Sequence, residues 1–210
     1  MSTIRARTRL GIAAALLLLA VGAAPWLEAS MARHMLVQLP ALVLAGWASA
    51  GLLPARWSAA RIDDYGITGL TALLFVSAYW MVPRALELSL ASPLSEAAKL
   101  ASLFSLGLIL PGSLRRCPWV AQLFFLGNFS AMMAIAGMQY QNLPQRLCNA
   151  YLLDDQNVAG MGLVAAAVLI AMAWCARIAP ALSSTPHTTA PDELPATEPR
   201  IDHHPRPHLL

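Results

Sequence analysis

The chain has 210 residues, of which 58% are hydrophobic and only 12% are charged, and its mean hydropathy is +0.57. An ordinary soluble domain carries about 25% charged residues, so this composition excludes that class and indicates an integral membrane protein. The net charge of +3 is too small and too scattered for a nucleic-acid surface, and we expect no nucleic-acid partner.

Six apolar stretches follow one another along the chain, and most approach the roughly 20 residues that a helix needs to cross a bilayer. They predict an all-α, polytopic transmembrane bundle of about six spans within residues 1–181. The stretches are 10–27, 35–53, 66–82, 97–110, 119–138 and 158–176. The fourth is short, ends at Pro111 and contains Lys99, so a bundle of five spans is the alternative, as is a fourth helix that begins near Leu94.

Prolines separate the predicted helices, because a ring without an N–H interrupts the backbone hydrogen bonds. Pro40 lies inside the second stretch, where it predicts a kink. The prolines between stretches are Pro54, Pro83, Pro93, Pro111, Pro118 and Pro144.

Basic residues near the span ends predict the orientation, because they are retained on the cytoplasmic side. With the N-terminus inside, the inner segments hold more of them than the outer segments, which predicts both termini in the cytoplasm of a bacterial inner membrane. The inner set is Arg5, Arg7, Arg9, Arg56, Arg61, Arg115, Arg116 and Arg177, against Arg33, Arg84, Lys99 and Arg146 outside. A cleaved signal peptide is the alternative for the first stretch, although its length and Trp26 favour a retained helix.

The composition changes at Leu182, where Ser, Thr, Pro and acidic residues replace leucine and alanine. Residues 182–210 therefore predict a disordered tail, since they cannot bury enough apolar area to offset their ordering entropy. We expect its histidines to be solvated, with weak binding of a divalent metal as the alternative. Cys117, Cys148 and Cys175 have no CxxC spacing and indicate structural thiols rather than a disulfide framework or a zinc site.

Polar and sulfur-containing side chains gather at the predicted outer ends of the helices. Imidazole and thioether donors suit Cu(I), so copper is the candidate cofactor. The candidate metal-binding residues are His34, Met35, Met31, Gln38, Asp155 and Gln156. A hydrogen bond from His34 to Glu28 or an aspartate is the alternative role for that histidine.

Several other functions find little support in the sequence. No ordered run of intramembrane carboxylates indicates a proton-driven transporter, and no GxSxG turn indicates a serine hydrolase. His34 is the only histidine before His187, which disfavours a haem held by two histidines of this chain and leaves His/Met ligation open. We predict that the protein is not an enzyme.

Two segments carry a resemblance to a known family. Arg33-His34-Met35-Leu36-Val37-Gln38 and Leu153-Asp154-Asp155-Gln156-Asn157-Val158-Ala159-Gly160 resemble signature motifs of the polytopic CtaG family of cytochrome c oxidase assembly factors. The resemblance implies a membrane factor that helps to mature a haem–copper oxidase, contacts oxidase subunits and handles copper at the periplasmic face. The positions it carries over are His34, Met35, Gln38, Asp155 and Gln156.

The chain also departs from that family. Members tend to have a second histidine directly after the motif glutamine, where this chain has Leu39, and they usually have seven spans. The loss of a candidate ligand allows for a divergent relative with a changed task. A structural or accessory subunit of a membrane complex, or a small haem- or quinone-binding redox subunit, is the alternative function.

Overall fold

A computed structural model describes residues 3–52, 63–143, 147 and 150–183 of the chain. The regular structure in these ranges is helical throughout, which confirms the all-α prediction. The α-helices are α1 (Thr3–Leu17), α2 (Ala24–Leu27), α3 (Met31–Arg33), α4 (Leu39–Ala50), α5 (Ile67–Trp80), α6 (Pro83–Ala91), α7 (Pro93–Arg116), α8 (Trp119–Asn142) and α9 (Leu153–Ser183). Two π-helical turns, Leu18–Gly22 and His34–Gln38, extend α1 and join α3 to α4.

Three of the described helices, α7, α8 and α9, are long and apolar enough to cross a membrane. A fourth span results if α5 and α6, which are bent by 74° at their break, count together. The helical run 31–50 is divided by a π turn into α3 and α4, and the run 3–22 consists of α1 followed by a π turn. Membrane-type helices are therefore present, and the number of six spans stays a prediction.

The fourth apolar stretch differs from the short helix that the sequence predicted. Helix α7 begins at Pro93, in agreement with the alternative of an earlier start, and continues through Pro111 to Arg116. The prediction that the helix ends at Pro111 is thus wrong. A proline removes only one backbone hydrogen bond, and transmembrane helices tolerate that loss where neighbouring groups satisfy the freed carbonyl.

The backbone changes geometry directly before Pro40. The N–H of Leu39 donates to the carbonyl of His34, five residues earlier, so the turn His34–Gln38 is π-helical. Such turns often occur at functional sites and where a proline cannot continue the hydrogen-bond ladder. This turn holds His34 and Gln38 on the buried side of the helix. A bend of the helix axis at Pro40 stays a prediction.

Small residues allow two pairs of helices to cross closely. A Cβ on Gly46 of α4 would lie 2.9 Å from the Cα of Gly107 in α7, and a Cβ on Gly137 of α8 would lie 2.6 Å from the carbonyl oxygen of Gly160 in α9. Because lipid is as apolar as leucine, such backbone contacts are what hold membrane helices together.

The chain segments between helices meet at two ends of the bundle. We call them the His34 end, which gathers Glu28, His34 and Asp155, and the Asp63 end, which gathers Asp63 and Arg116. The predicted tail lies outside the described residues, apart from Leu182 and Ser183 at the end of α9. Cys148, Pro54 and Pro144 lie outside them too, whereas Cys117 and Cys175 are free thiols.

Replacing Gly46 by alanine should destabilise the bundle by about 1–3 kcal/mol, because the added methyl group meets the backbone of α7 and must push the helices apart. Thermal unfolding of the purified protein in detergent measures the effect. Gly127→Ala is the matched control, since nothing lies within 4 Å of its added Cβ. Equal unfolding temperatures for the two variants would contradict the close crossing.

Candidate functional site

Lys99 of α7 is a charged side chain that is 0% exposed at the His34 end. Its Nζ lies 2.9 Å from Oε1 of Glu28 and 2.7 Å from Oε2 of Glu96. It also lies 3.0 Å from Nε2 of His34 and 3.3 Å from Oε1 of Gln38. A buried charge is costly unless it is paired and hydrogen-bonded, so these acceptors are what allow an ammonium at this position. We call these five residues the Lys99 cluster.

The hydrogen bonds of His34 define its tautomer. The Lys99 ammonium can only donate, so Nε2 of His34 accepts and carries no proton. The ring proton then resides on Nδ1, which donates to the hydroxyl oxygen of Tyr151 at 2.9 Å. Both nitrogens are thereby engaged. The sequence left Glu28 or an aspartate as an alternative hydrogen-bond partner of His34. Glu28 is bonded to the Lys99 ammonium instead of to the His34 ring.

Glu28 and Gln38 complete the cluster through a shared set of bonds. The amide nitrogen of Gln38 donates to Oε1 of Glu28 at 3.0 Å and to the carbonyl of Ala20 at 2.9 Å. Burial alone would raise the pKa of Glu28, but hydrogen bonds from Lys99 and Gln38 outweigh it and hold that pKa below its usual 4.5. Glu28, in the segment between α2 and α3, is therefore ionised at neutral pH.

Asp155, in the second sequence motif, binds the residues that directly precede the first motif. Its carboxylate accepts hydrogen bonds from the Ser30 hydroxyl at 2.7 Å and from the backbone N–H groups of Met31 and Ala32. These N–H groups stand at the start of a helix, where they have no partner within the helix and where a negative charge is favourable. Asp155 thus caps the helix that carries His34.

Gln156 fixes the segment between α8 and α9. Its amide nitrogen donates to the carbonyl of Tyr140 at 2.9 Å, and its oxygen accepts from the N–H of Leu147 at 2.9 Å. The Tyr140 hydroxyl in turn donates to the carbonyl of Met81. Buried Gln156 therefore links α8, Leu147 and α9 at the His34 end.

The six predicted ligands lie at one end of the bundle but divide among separate environments. His34 and Gln38 belong to the Lys99 cluster, and Met31 and Met35 pack in an apolar cluster with Met133. Asp155 and Gln156 bind backbone groups, as described above. Among the described residues no group of three or more His, Cys, Asp or Glu side chains could hold a metal ion. Copper binding stays a prediction.

Sequence reasoning missed Lys99, Glu96 and Tyr151 as members of this site. One signal could have revealed the first two: Lys99 is a lone cation in an apolar stretch, and Glu96 precedes it by three residues on the same helix face. An intramembrane ionisable residue is a candidate for function by default. Nothing in the sequence marks Tyr151 as the partner of His34.

A second polar cluster lies at the Asp63 end. Arg116 donates from Nη2 to Oδ2 of buried Asp63 at 2.6 Å and from Nε to its carbonyl at 2.7 Å. Ser113 and the N–H of Gly69 also donate to this carboxylate. Arg116, which the sequence assigned to topology alone, therefore also ties the end of α7 to the start of α5.

Comparison of the chain with family models, with curated proteins and with solved structures found no match.

Protonation of Asp63 should destabilise the fold in acid. Burial raises its pKa, but Ser113, Arg116 and Gly69 outweigh that effect, so its pKa lies below the ordinary 3.8. A lowered pKa means that the stabilisation is complete above the unfolded value and is lost as the pH falls through the folded value. Asp63→Asn should lower the unfolding temperature at pH 7. The difference in unfolding temperature between this variant and the native chain should narrow below about pH 4. Asp64→Asn, at an exposed neighbour, should leave the pH profile unchanged.

Removing the carboxylate of Asp155 should weaken the start of the helix that carries His34. Asp155→Ala leaves three donors without their acceptor, and we expect a loss of about 1–2 kcal/mol in the free energy of unfolding. Hydrogen exchange of the Met31 and Ala32 amides should accelerate. Asp154→Ala removes an exposed carboxylate one residue away and is the control; a loss as large as that of Asp155→Ala would exclude the capping role.

Proposed function

We propose that this chain is a non-enzymatic, multi-pass protein of a bacterial inner membrane that assists the assembly of a haem–copper respiratory oxidase. One contact carries the proposal. Met31 and Asp155 are separated by 124 positions in the sequence, and the carboxylate of Asp155 caps the helix that begins at Met31. The second segment that resembles the CtaG family thus caps the helix that leads into the first segment, as expected if the two segments share a task.

The arrangement of the two ends supports six spans with both termini in the cytoplasm. The polar contacts of Glu28, Lys99 and Asp155 belong to one end, and those of Asp63 and Arg116 to the other. Between these positions the chain passes from one end to the other four times, and α1 before Glu28 and α9 after Asp155 bring the number of passages to six. The His34 end would then face the periplasm.

The packing of the first helix supports its role as a retained span. Gln38 donates to the carbonyl of Ala20, which lies in the π turn that follows α1, and α1 packs along α4. Cleavage near Ala29 would remove the partner of a buried amide. An unsatisfied buried donor costs about 1–3 kcal/mol, so a retained helix is the better account.

Two routes would serve an assembly factor: transfer of copper, and docking of an oxidase subunit. The Lys99 ammonium occupies the lone pair of His34 Nε2, the nitrogen that a metal would need. The same end exposes large apolar side chains at Trp26, Leu94 and Leu152. Docking therefore accounts for more of the geometry than copper transfer does.

Deletion of the protein from its host should lower haem–copper oxidase activity and the amount of assembled oxidase in membranes. Complementation with the native chain or with Asp154→Ala should restore both, whereas Asp155→Ala should restore them poorly because the motif unit is loosened. Oxidase levels that stay normal after deletion would refute the assembly function.

The copper route makes a separate prediction that the same protein tests. If copper is handled, the purified chain should withdraw Cu(I) from a competing chelator, and His34→Ala should weaken that competition. If docking is the task, the chain should co-purify with an oxidase subunit without dependence on copper. If the chain competes for Cu(I) but does not co-purify with an oxidase subunit, copper transfer would be favoured over docking.

A further inference from the structure

A cavity of about 570 Å³ lies inside the bundle, between the His34 end and the Asp63 end. Its walls come from the helical run 31–50 and from α5, α7, α8 and α9. Among the described residues that line it, Ser77 alone is neither apolar nor aromatic. Water occupies a buried cavity only where two to four polar groups hold it, so this cavity is suited to hydrocarbon instead.

The cavity opens sideways between α4 and α9. Near the His34 end the two helical runs are in contact, since a Cβ on Gly162 of α9 would collide with Leu36. Toward the Asp63 end, Leu44 and Trp47 of α4 line the cavity and are nevertheless 53% and 40% exposed. Exposed apolar side chains in the middle of a membrane bundle face lipid, so this opening connects the cavity with the hydrocarbon of the bilayer.

The dimensions of the cavity fit a linear chain better than a helix. Its lining residues on α7 extend from Leu103 to Leu114, which corresponds to about 16 Å along the helix axis. A partner helix of that length, about 10 Å wide with its side chains, fills about 1,200 Å³ and is too large. A hydrocarbon chain is about 4–5 Å wide, because non-bonded carbons approach to about 3.5–4.0 Å, and it fills about 200–300 Å³ over this length.

Two arginines follow the cavity at the Asp63 end. Arg115 comes directly after Leu114, and Arg177 lies two turns beyond Ile170, the last lining residue of α9. Both arginines are exposed, and neither forms an ion pair within the part of the chain that the structure describes. The carboxylate of Asp63 is already paired with another arginine. Basic side chains at the membrane surface attract anionic lipids, so the charge at this end favours an anionic headgroup.

We propose that the cavity binds an acyl chain of one anionic phospholipid, whose phosphate is held by Arg115 and Arg177. Trp47 and Trp174 precede the ends of α4 and α9, where aromatic side chains typically mark the border between hydrocarbon and headgroups. A bound chain also restores dispersion contacts that an empty cavity would lack, so it should stabilise the bundle. The proposal is independent of the role in oxidase assembly and of the orientation in the membrane.

Native mass spectrometry of the delipidated full-length protein tests the proposal. Phosphatidylglycerol and phosphatidylcholine with the same oleoyl chains are the probes, and the native chain should retain one phosphatidylglycerol. Ala166→Trp fills the cavity from α9 and should lower this affinity at least about tenfold. Ala165→Trp adds the same bulk at the neighbouring exposed position, which does not line the cavity, and should bind like the native chain. Equal affinities for the two variants would overturn the proposal.

The headgroup is tested with a separate pair of variants. Arg115→Gln combined with Arg177→Gln should reduce the preference for phosphatidylglycerol over phosphatidylcholine about tenfold. Arg84→Gln is the control, because it removes an exposed positive charge at the opposite end of the bundle. A preference that the double variant keeps in full would exclude the two arginines from the site.

A fluorescence measurement on the native chain keeps the proposal testable if Ala166→Trp does not fold. Trp80 lines the cavity and is 3% exposed, so lipid outside the cavity does not reach its ring. Phosphatidylglycerol with bromine atoms near the ends of its acyl chains should quench the fluorescence of Trp80, taken as the difference between the native chain and Trp80→Phe. The absence of this quenching overturns the proposal, as does retention of an isoprenoid quinone or a partner protein in the cavity instead of the phospholipid.

Discussion

The cost of burying one ammonium group governs the His34 end of the bundle. A charge in an apolar interior is tolerated only where acceptors surround it, and the acceptors of Lys99 come from different parts of the chain. Glu28 lies before the second helical run, His34 and Gln38 lie in its π turn, and Glu96 lies on α7 itself. Misplacing any of these segments removes an acceptor from the buried ammonium, so the cluster favours one arrangement of the helices. His34 is also hydrogen-bonded to Tyr151, so the position of the segment before α9 depends on the cluster as well.

Stability away from this end depends on a different kind of contact. Hydrophobic burial does not favour one helix pairing over another inside lipid, so close backbone approach and hydrogen bonds must do so. Gly46 against Gly107 and Gly137 against Gly160 supply the approach in the middle of the bundle. Asp63 with Arg116 supplies the polar contact at the opposite end. The fold is thus held by glycine crossings between two polar ends.

The sequence predicted those features that depend on local pattern. Apolar length predicted α8 and α9, and the motifs around His34 and Asp155 predicted that these residues lie at one end. The features it missed depend on tertiary context. Lys99 counted against a span in the sequence because a charge lowers hydropathy, yet its burial is explained only by acceptors distant in the chain. Pro111 counted as a helix end, although packing carries α7 through it.

Two features of the chain point away from a metal at His34, and they are independent. Two segments of the chain resemble the CtaG family, whose members tend to have a second histidine where this chain has Leu39. Leu39 packs in an apolar cluster with Leu42 and Trp80. The remaining histidine accepts a hydrogen bond from an ammonium that belongs to the chain. A metal-held cluster would form only when metal is supplied, since binding and ordering are coupled. Here the cation is covalently attached, so the cluster can assemble as the chain folds and present the same surface whatever the metal supply.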